Sequence, residues 1–135
     1  MNRAVIGIGS NINPKENIQK AIQEIGYSHR LIKQSTFTET RPIGFLNQPD
    51  FVNGVLLIQT TLDFNAFKSW LHQLEKKMGR KRNGNKFGPR VIDLDIVVWN
   101  GKVVDEDVYD RNFLYQAVLE VFPALNKETC KNPDG

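Results

Sequence analysis

The chain has a single cysteine, two histidines and no long apolar run, and each scarcity removes a class of protein. Cys130 stands alone in a polar C-terminal stretch, so no intrachain disulfide can form and a reducing compartment is expected. The longest apolar runs, Val55–Ile58 and Ile96–Trp99, are far too short to span a bilayer. The N-terminus enters Ala4-Val-Ile-Gly-Ile8 directly, without the basic-then-apolar pattern of a secretion signal, which points to the cytoplasm. His29 and His72 have no zinc-ligand spacing with Cys130. Two common nucleotide signatures are also missing. Gly79 and Gly84 have P-loop separation, but Asn85-Lys86 replaces the Lys-Ser/Thr pair, and Gly7-Ile8-Gly9 lacks the third glycine of the dinucleotide fingerprint.

Acids are missing from one place in particular. Arg80, Lys81, Arg82, Lys86 and Arg90 follow one another with no Asp or Glu between them. Taking these five from the 18 basic residues leaves 13 against 15 acidic ones, so the net charge of +3 is local. A local basic loop is either a solvated segment or a site for an anionic ligand, and it does not suit general adhesion to polyanions.

With 135 residues, 40% apolar and 24% charged, the chain fits one soluble domain, expected over residues 1–125 with a polar tail at 126–135. Residues 4–9 read as a buried strand. Asn13 as cap, Pro14 at the first helical position and Glu16 as a capping-box partner predict a helix that Gly26 ends. Leu31–Thr40 and Phe51–Thr60 are predicted strands. Asp63 caps a second helix carrying Phe67, Leu71, Leu74 and Met78 on one face, and Gly79 closes it. Val91–Trp99 is a fourth strand, and a last helix runs from about Arg111 to Phe122, stopped by Pro123. The order predicts an α+β, ferredoxin-like βαββαβ antiparallel sheet with helices on one face, plus a C-terminal helix.

The fourth strand carries the strongest chemical signal. Its even positions, Ile92, Leu94, Ile96 and Val98, form an apolar face, leaving Asp93 and Asp95 together on the other. Their α-carbons lie roughly 6.5–7 Å apart by strand geometry, so the pair is either two harmless acids on a solvated sheet face or two repelling charges that a cation joins. Mg²⁺ commonly takes one or two carboxylates with phosphate oxygens completing its shell. Arg90 at the strand's start and Arg80 at the end of the second helix add phosphate-binding groups, which together suit a triphosphate. His72 and Glu75, three apart on the second helix, share a side, as either a ligand pair or a surface pair. Phe51 and Asn53 alternate onto one face of the third strand, where an aromatic and an amide could read a flat heterocycle.

These stretches resemble the 6-hydroxymethyl-7,8-dihydropterin pyrophosphokinase family. The resemblance runs from Val5 to about Pro123, and its strongest part is Gly79-Arg80 followed by Phe87-Gly-Pro-Arg-Val-Ile-Asp-Leu-Asp-Ile96. Gly9-Ser10-Asn11, Thr40-Arg-Pro-Ile-Gly44 and Gln48-Pro-Asp-Phe-Val-Asn53 support it. It implies pyrophosphate transfer from ATP to a pterin alcohol, with two Mg²⁺ ions on Asp93 and Asp95. It implies that Arg80 and Arg90 engage the phosphates, and that Phe51 and Phe113 sandwich the pterin. Thr40, Pro42, Ile43 and Asn53 would read the pterin's edge. His72, Glu75, Arg82, Phe87, Ile96 and Arg111 would complete the ATP site. ATP and 6-hydroxymethyl-7,8-dihydropterin are then the partners of a monomer or weak dimer, with no nucleic acid and no membrane.

Two features depart from the family pattern. Phe87 stands where the bacterial enzymes usually carry Trp, and Asp105–Asp110 is short and lacks the family's Val-Pro-His. Two other readings compete. A family member that binds pterin or nucleotide without catalysing fits the altered segment. An RNA-binding module shares the strand order, but Ala4–Gly9 has no aromatic on which a base could stack.

Overall fold

The computed structural model describes residues 1–41, 48–79 and 91–125. Their elements are β1 (Asn2–Ser10), α1 (Pro14–Ser28), β2 (Arg30–Gln34), β3 (Thr38–Thr40), β4 (Phe51–Thr60), α2 (Phe64–Lys77), β5 (Asp93–Trp99), β6 (Lys102–Val103), α3 (Asp107–Asp110) and α4 (Asn112–Val121). The sheet runs β2-β4-β1-β5-β6, with β3 also pairing β4, and the pairings are antiparallel. This is the α+β, ferredoxin-like arrangement that the element order predicts.

β1 and β4 form the centre, and both their faces are covered. Ala4, Ile6 and Ile8 of β1, with Leu56 and Ile58 of β4, pack against Ile18, Ala21 and Ile25 of α1 and Phe67, Leu71 and Leu74 of α2. On the other face, Val5, Val55 and Val97 meet Val108, Ala117, Val118 and Val121 from α3 and α4. The C-terminal helix therefore closes the face of the sheet opposite α1 and α2. Apolar runs such as Ala4-Val5-Ile6 are what a strand buried on both sides requires.

Four local expectations change. Asn13 takes a left-handed conformation (φ 42°) and makes no side-chain cap bond; instead Asn17 Nδ2 donates to Ile12 O at 2.6 Å. Gly26 does not end α1, which continues to Ser28, since an exposed helical glycine costs only about 1 kcal/mol. The stretch Leu31–Thr40 breaks into β2 and β3. Ser35 causes the break: its hydroxyl accepts from Val55 N at 2.9 Å, and its own N–H donates to Val55 O at 3.0 Å. Phe37 then lies over Gly54, where a Cβ would come within 2.6 Å of the ring.

The fourth change concerns β5. Ile92, Leu94 and Ile96 face α1 and α2 as predicted, but Val98 does not. The pairing with β1 shifts between Val5↔Val98 and Ile6↔Ile96, leaving Val97 as an additional residue. This bulge turns both Val97 and Val98 toward α4 and returns Trp99 to the other core.

His29 follows α1 and packs edge-on against Phe67 and Trp70, at centroid distances of 5.0 and 4.4 Å. Its Nε2 is buried without a hydrogen-bond partner among the described residues, and this burial lowers its pKa. The unfolded chain then takes up the proton first as pH falls through about 6.5, so acid weakens the fold. Thermal melting between pH 7 and pH 5 should fall less steeply in His29→Phe than in the wild type. An equal slope in both would rule out His29 as a source of the acid sensitivity.

Candidate active site

The site begins with what β1 omits. Its positions facing α4 are Val5, Gly7 and Gly9, so beyond Val5 this strand presents no side chain on that face and a cleft opens. Gly9 pairs with Asn53 of β4, and a Cβ on Gly9 would stand 2.5 Å from Asn53 Oδ1. The missing side chain therefore makes room for the amide. Asn53 Nδ2 donates to Thr40 Oγ1 at 2.5 Å, which fixes the amide's orientation across the β3–β4 pair. Phe51 lies two residues earlier, paired with Thr40 and on the same side of the strand as Asn53.

The turn after β1 anchors the approach to β4. Asn11, 3% exposed, donates through Nδ2 to Gln48 Oε1 at 2.7 Å and Pro49 O at 3.1 Å. Ser10 Oγ holds Ile12 through its carbonyl and its N–H. Ser10 and Asn11 thus position the chain that delivers Phe51 and Asn53, a role that sequence spacing does not reveal.

On the other side of β1, Asp93 pairs with Gly9 and Asp95 with Gly7. Both carboxylates lie on the face that the glycines leave open. Asp93, Asp95, Gly7, Gly9 and Asn53 line this cleft with Arg111 and Phe113 from the start of α4. A second cleft, of about 440 Å³, lies along the α2 side. His72, Lys68 and Leu71 of α2, Ile96 of β5 and Val104 line it. That volume falls in the range of about 300–1,000 Å³ typical of small-molecule sites. Asp95, Asp105 and Asp107 belong to both clefts and mark where they meet.

Arg111 sits between α3 and α4, with Nε 3.6 Å from Asp107 Oδ2. Both side chains are more than a third exposed, so the pair adds little stability. Among the described residues, no three His, Cys, Asp or Glu side chains form a metal-binding group. The donors at the junction are carboxylates, which suit a hard cation. A partial protein shell completed by phosphate oxygens and water is how Mg²⁺ is usually held. The residues present fit that ion.

The family model for 7,8-dihydro-6-hydroxymethylpterin-pyrophosphokinase matches residues 5–123. The chain belongs to this family. A 2-amino-4-hydroxy-6-hydroxymethyldihydropteridine pyrophosphokinase of Haemophilus influenzae is 32% identical over 130 residues, covering 87% of this chain and 80% of the relative. One of Aquifex aeolicus is 32% identical over 137 residues, covering 95% and 85%. A folate synthesis bifunctional protein of Arabidopsis thaliana is 33% identical over 127 residues, covering 87% of this chain and 26% of the longer relative. Membership makes the chain a pyrophosphokinase of folate synthesis, a diphosphotransferase. No helix among the described residues is long and apolar enough to cross a membrane.

Within this pyrophosphokinase the predicted residues separate by where the structure places them. Asn53, Phe113, Asp93, Asp95 and Arg111 converge on the first cleft, and His72 and Ile96 line the second. Arg111, expected from the resemblance at the nucleotide, lines the first cleft with Asn53 and Phe113 and pairs with Asp107, which lines both clefts. Thr40 acts on Asn53 through its hydroxyl. Glu75, three residues after His72, is 1% exposed and lines neither cleft, and its carboxylate accepts from Leu94 N at 2.8 Å. Pro42, Ile43, Arg80, Arg82, Phe87 and Arg90 lie outside the described residues, as does the tail from 126.

Asp105, Asp107 and Lys68 are lining residues that the sequence did not single out. The acidic stretch 105–110 was visible as a departure from the family pattern, but with no regular periodicity it gave no direction for its side chains. Lys68 lies one turn before His72 on α2, and that i, i+4 spacing was the signal available for it.

Proposed function

We propose that the chain transfers pyrophosphate from Mg·ATP to 6-hydroxymethyl-7,8-dihydropterin at the junction of the two clefts, working in the cytoplasm as a monomer or weak dimer. The observation that carries this reading is the position of Asp95, which lines both clefts at once. The pterin takes the first cleft, against Phe113 and the Asn53 amide. Asn53 can both donate to and accept from a pterin edge, and its geometry is set by Thr40. Phe51, on the same side of β4, offers the second aromatic surface.

ATP takes the larger cleft, with the base toward Ile96, Leu71 and Val104 and the phosphates toward the junction. Lys68 and His72 edge this cleft and can meet phosphate or ribose oxygens. Asp93 and Asp95 hold two Mg²⁺ ions, and the chemistry so supplied is neutralisation of the phosphate oxygens. Arg80 and Arg90 add positive charge to the transferring group. The acceptor hydroxyl oxygen bonds to the β-phosphorus and gives up its proton to water, the bond from that phosphorus to the α–β bridging oxygen breaks, and AMP leaves. Positioning and charge compensation are most of what this transfer demands, so a site without a nucleophilic side chain suffices.

Incubating the chain with Mg·ATP and the pterin, then separating products, tests the reading. AMP and pterin diphosphate should appear in equal amounts, with no AMP when pterin is omitted. Pterin binding without any AMP at high protein concentration would favour a non-catalytic binder and sink the proposal.

A further inference from the structure

Glu75 is a carboxylate where the core calls for an apolar side chain. It lies on the inner face of α2 with Phe67, Leu71 and Leu74, and only 1% of it is exposed. Burying a carboxylate is unfavourable unless hydrogen bonds replace its water. One of its partners is the N–H of Leu94, at 2.8 Å from Oε2. That N–H belongs to β5 between Asp93 and Asp95. On this side of β5 the neighbour is β6, which pairs only at Val98 and Trp99. The N-terminal half of β5 thus has no strand there among the described residues, and Glu75 takes the place of one.

We propose that Glu75 is a positioning residue for the metal-holding carboxylates: it fixes the Leu94 peptide and thereby the spacing and direction of Asp93 and Asp95. A charged acceptor makes a shorter, stronger bond to a backbone N–H than a carbonyl does, which suits a strand end that must bear two like charges. The side chain of Leu94 is buried in the α1–α2 core, so the peptide is held from two directions. Glu75 is also absent from the lining of both clefts, which separates it from His72, three residues earlier on the same helix. This role rests on the proposed placement of Mg²⁺ at Asp93 and Asp95.

The test compares the full-length wild type with Glu75→Ala and Glu75→Gln. Three quantities are read: amide exchange at Leu94 without substrates, ATP binding in EDTA, and the Mg²⁺ concentration that half-saturates the enhancement of ATP binding by the metal. Glu75→Ala should speed Leu94 exchange at least tenfold and raise the Mg²⁺ requirement by about 10–100-fold, the usual cost of losing an outer-sphere support. ATP binding in EDTA should stay within about threefold, because Glu75 acts through the metal carboxylates. Glu75→Gln keeps an oxygen for the Leu94 N–H and should restore both exchange protection and Mg²⁺ requirement to within about threefold.

Unchanged Leu94 exchange in Glu75→Ala, or an unchanged Mg²⁺ requirement, would overturn the proposal. So would a loss of ATP binding in EDTA common to both variants, which is the mark of a direct nucleotide ligand. If Glu75→Ala does not fold, Glu75→Gln decides alone: a rise in Mg²⁺ requirement beyond about tenfold contradicts the role. None of the three readouts needs turnover, so a wild type that forms no AMP would fail the proposed reaction while leaving this result readable.

Discussion

Asp95→Asn should slow single-turnover AMP formation roughly a thousandfold, equivalent to about 4 kcal/mol of lost transition-state stabilisation. The reason lies in where Asp95 stands. Asp93 lines only the first cleft, whereas Asp95 lines both and shares the junction with Asp105 and Asp107. In the proposed reading, replacing its charge removes the group that connects nucleotide and acceptor. Asn is nearly isosteric, and Asp95 is exposed on the open face of β5, so the fold should be retained. Pterin affinity should change by less than about threefold, because the interactions proposed for that ligand lie with Asn53 and the aromatics. Quenched-flow AMP formation and calorimetric pterin binding, run on the same preparations, separate the two effects. Equal losses in both would mean that Asp95 supports the pterin pocket and not the transfer.

Gly9→Ala is the second large effect, and its target is the acceptor. An added Cβ would meet Asn53 Oδ1 at 2.5 Å, so the amide must swing away from its bond to Thr40. Displacing a recognition group by about 1 Å can cost on the order of a hundredfold, and pterin binding should weaken by that order. Binding of Mg·ATP should hold, since Gly9 lies in the first cleft and not the second. A methyl on the open face removes no packing, so melting should shift by only a few degrees. Asn53→Ala should lose pterin to a similar degree, and the double variant should lose little more, because both act on one amide. Additive losses would show that Gly9 matters for another reason.

Parts of this arrangement were legible because they follow from alternation along strands. Asp93 and Asp95 oppose Leu94 by period two, and the same rule sets Asn53 against Val52. Helices α1 and α2 were readable from their apolar spacing, and Asp63 caps α2 as predicted, accepting from Ala66 N at 2.8 Å. Failures came where side chains override local pattern. Ser35 supplies a hydroxyl to Val55 N and ends β2, although Leu31–Thr40 reads as one β-branched run. The bulge at Val97 is invisible in an unbroken apolar run, where every phase looks alike.

The site divided along the same line. That its carboxylates and amide share one side of their strands was legible from parity, and they line one cleft. The two-cleft layout was not, because it depends on α4 crossing the second face of the sheet and on α3 bringing Asp105 and Asp107 to Asp95. Glu75 shows the limit most clearly. Helical spacing placed it beside His72, but it cannot say that one side chain lines a cleft while the other is buried on a backbone N–H. The tertiary contact with β5 decides that.

The central claim is that a metal at Asp93 and Asp95 connects the nucleotide cleft to the pterin cleft. Proton relaxation of bound pterin, with Mn²⁺ in place of Mg²⁺ and a non-hydrolysable ATP analogue, tests it most directly. Strong Mn²⁺-dependent relaxation of the pterin protons in the wild type, lost in Asp95→Asn while pterin stays bound, is the predicted result. Pterin relaxation that Mn²⁺ leaves unchanged, or that persists in Asp95→Asn, would contradict it.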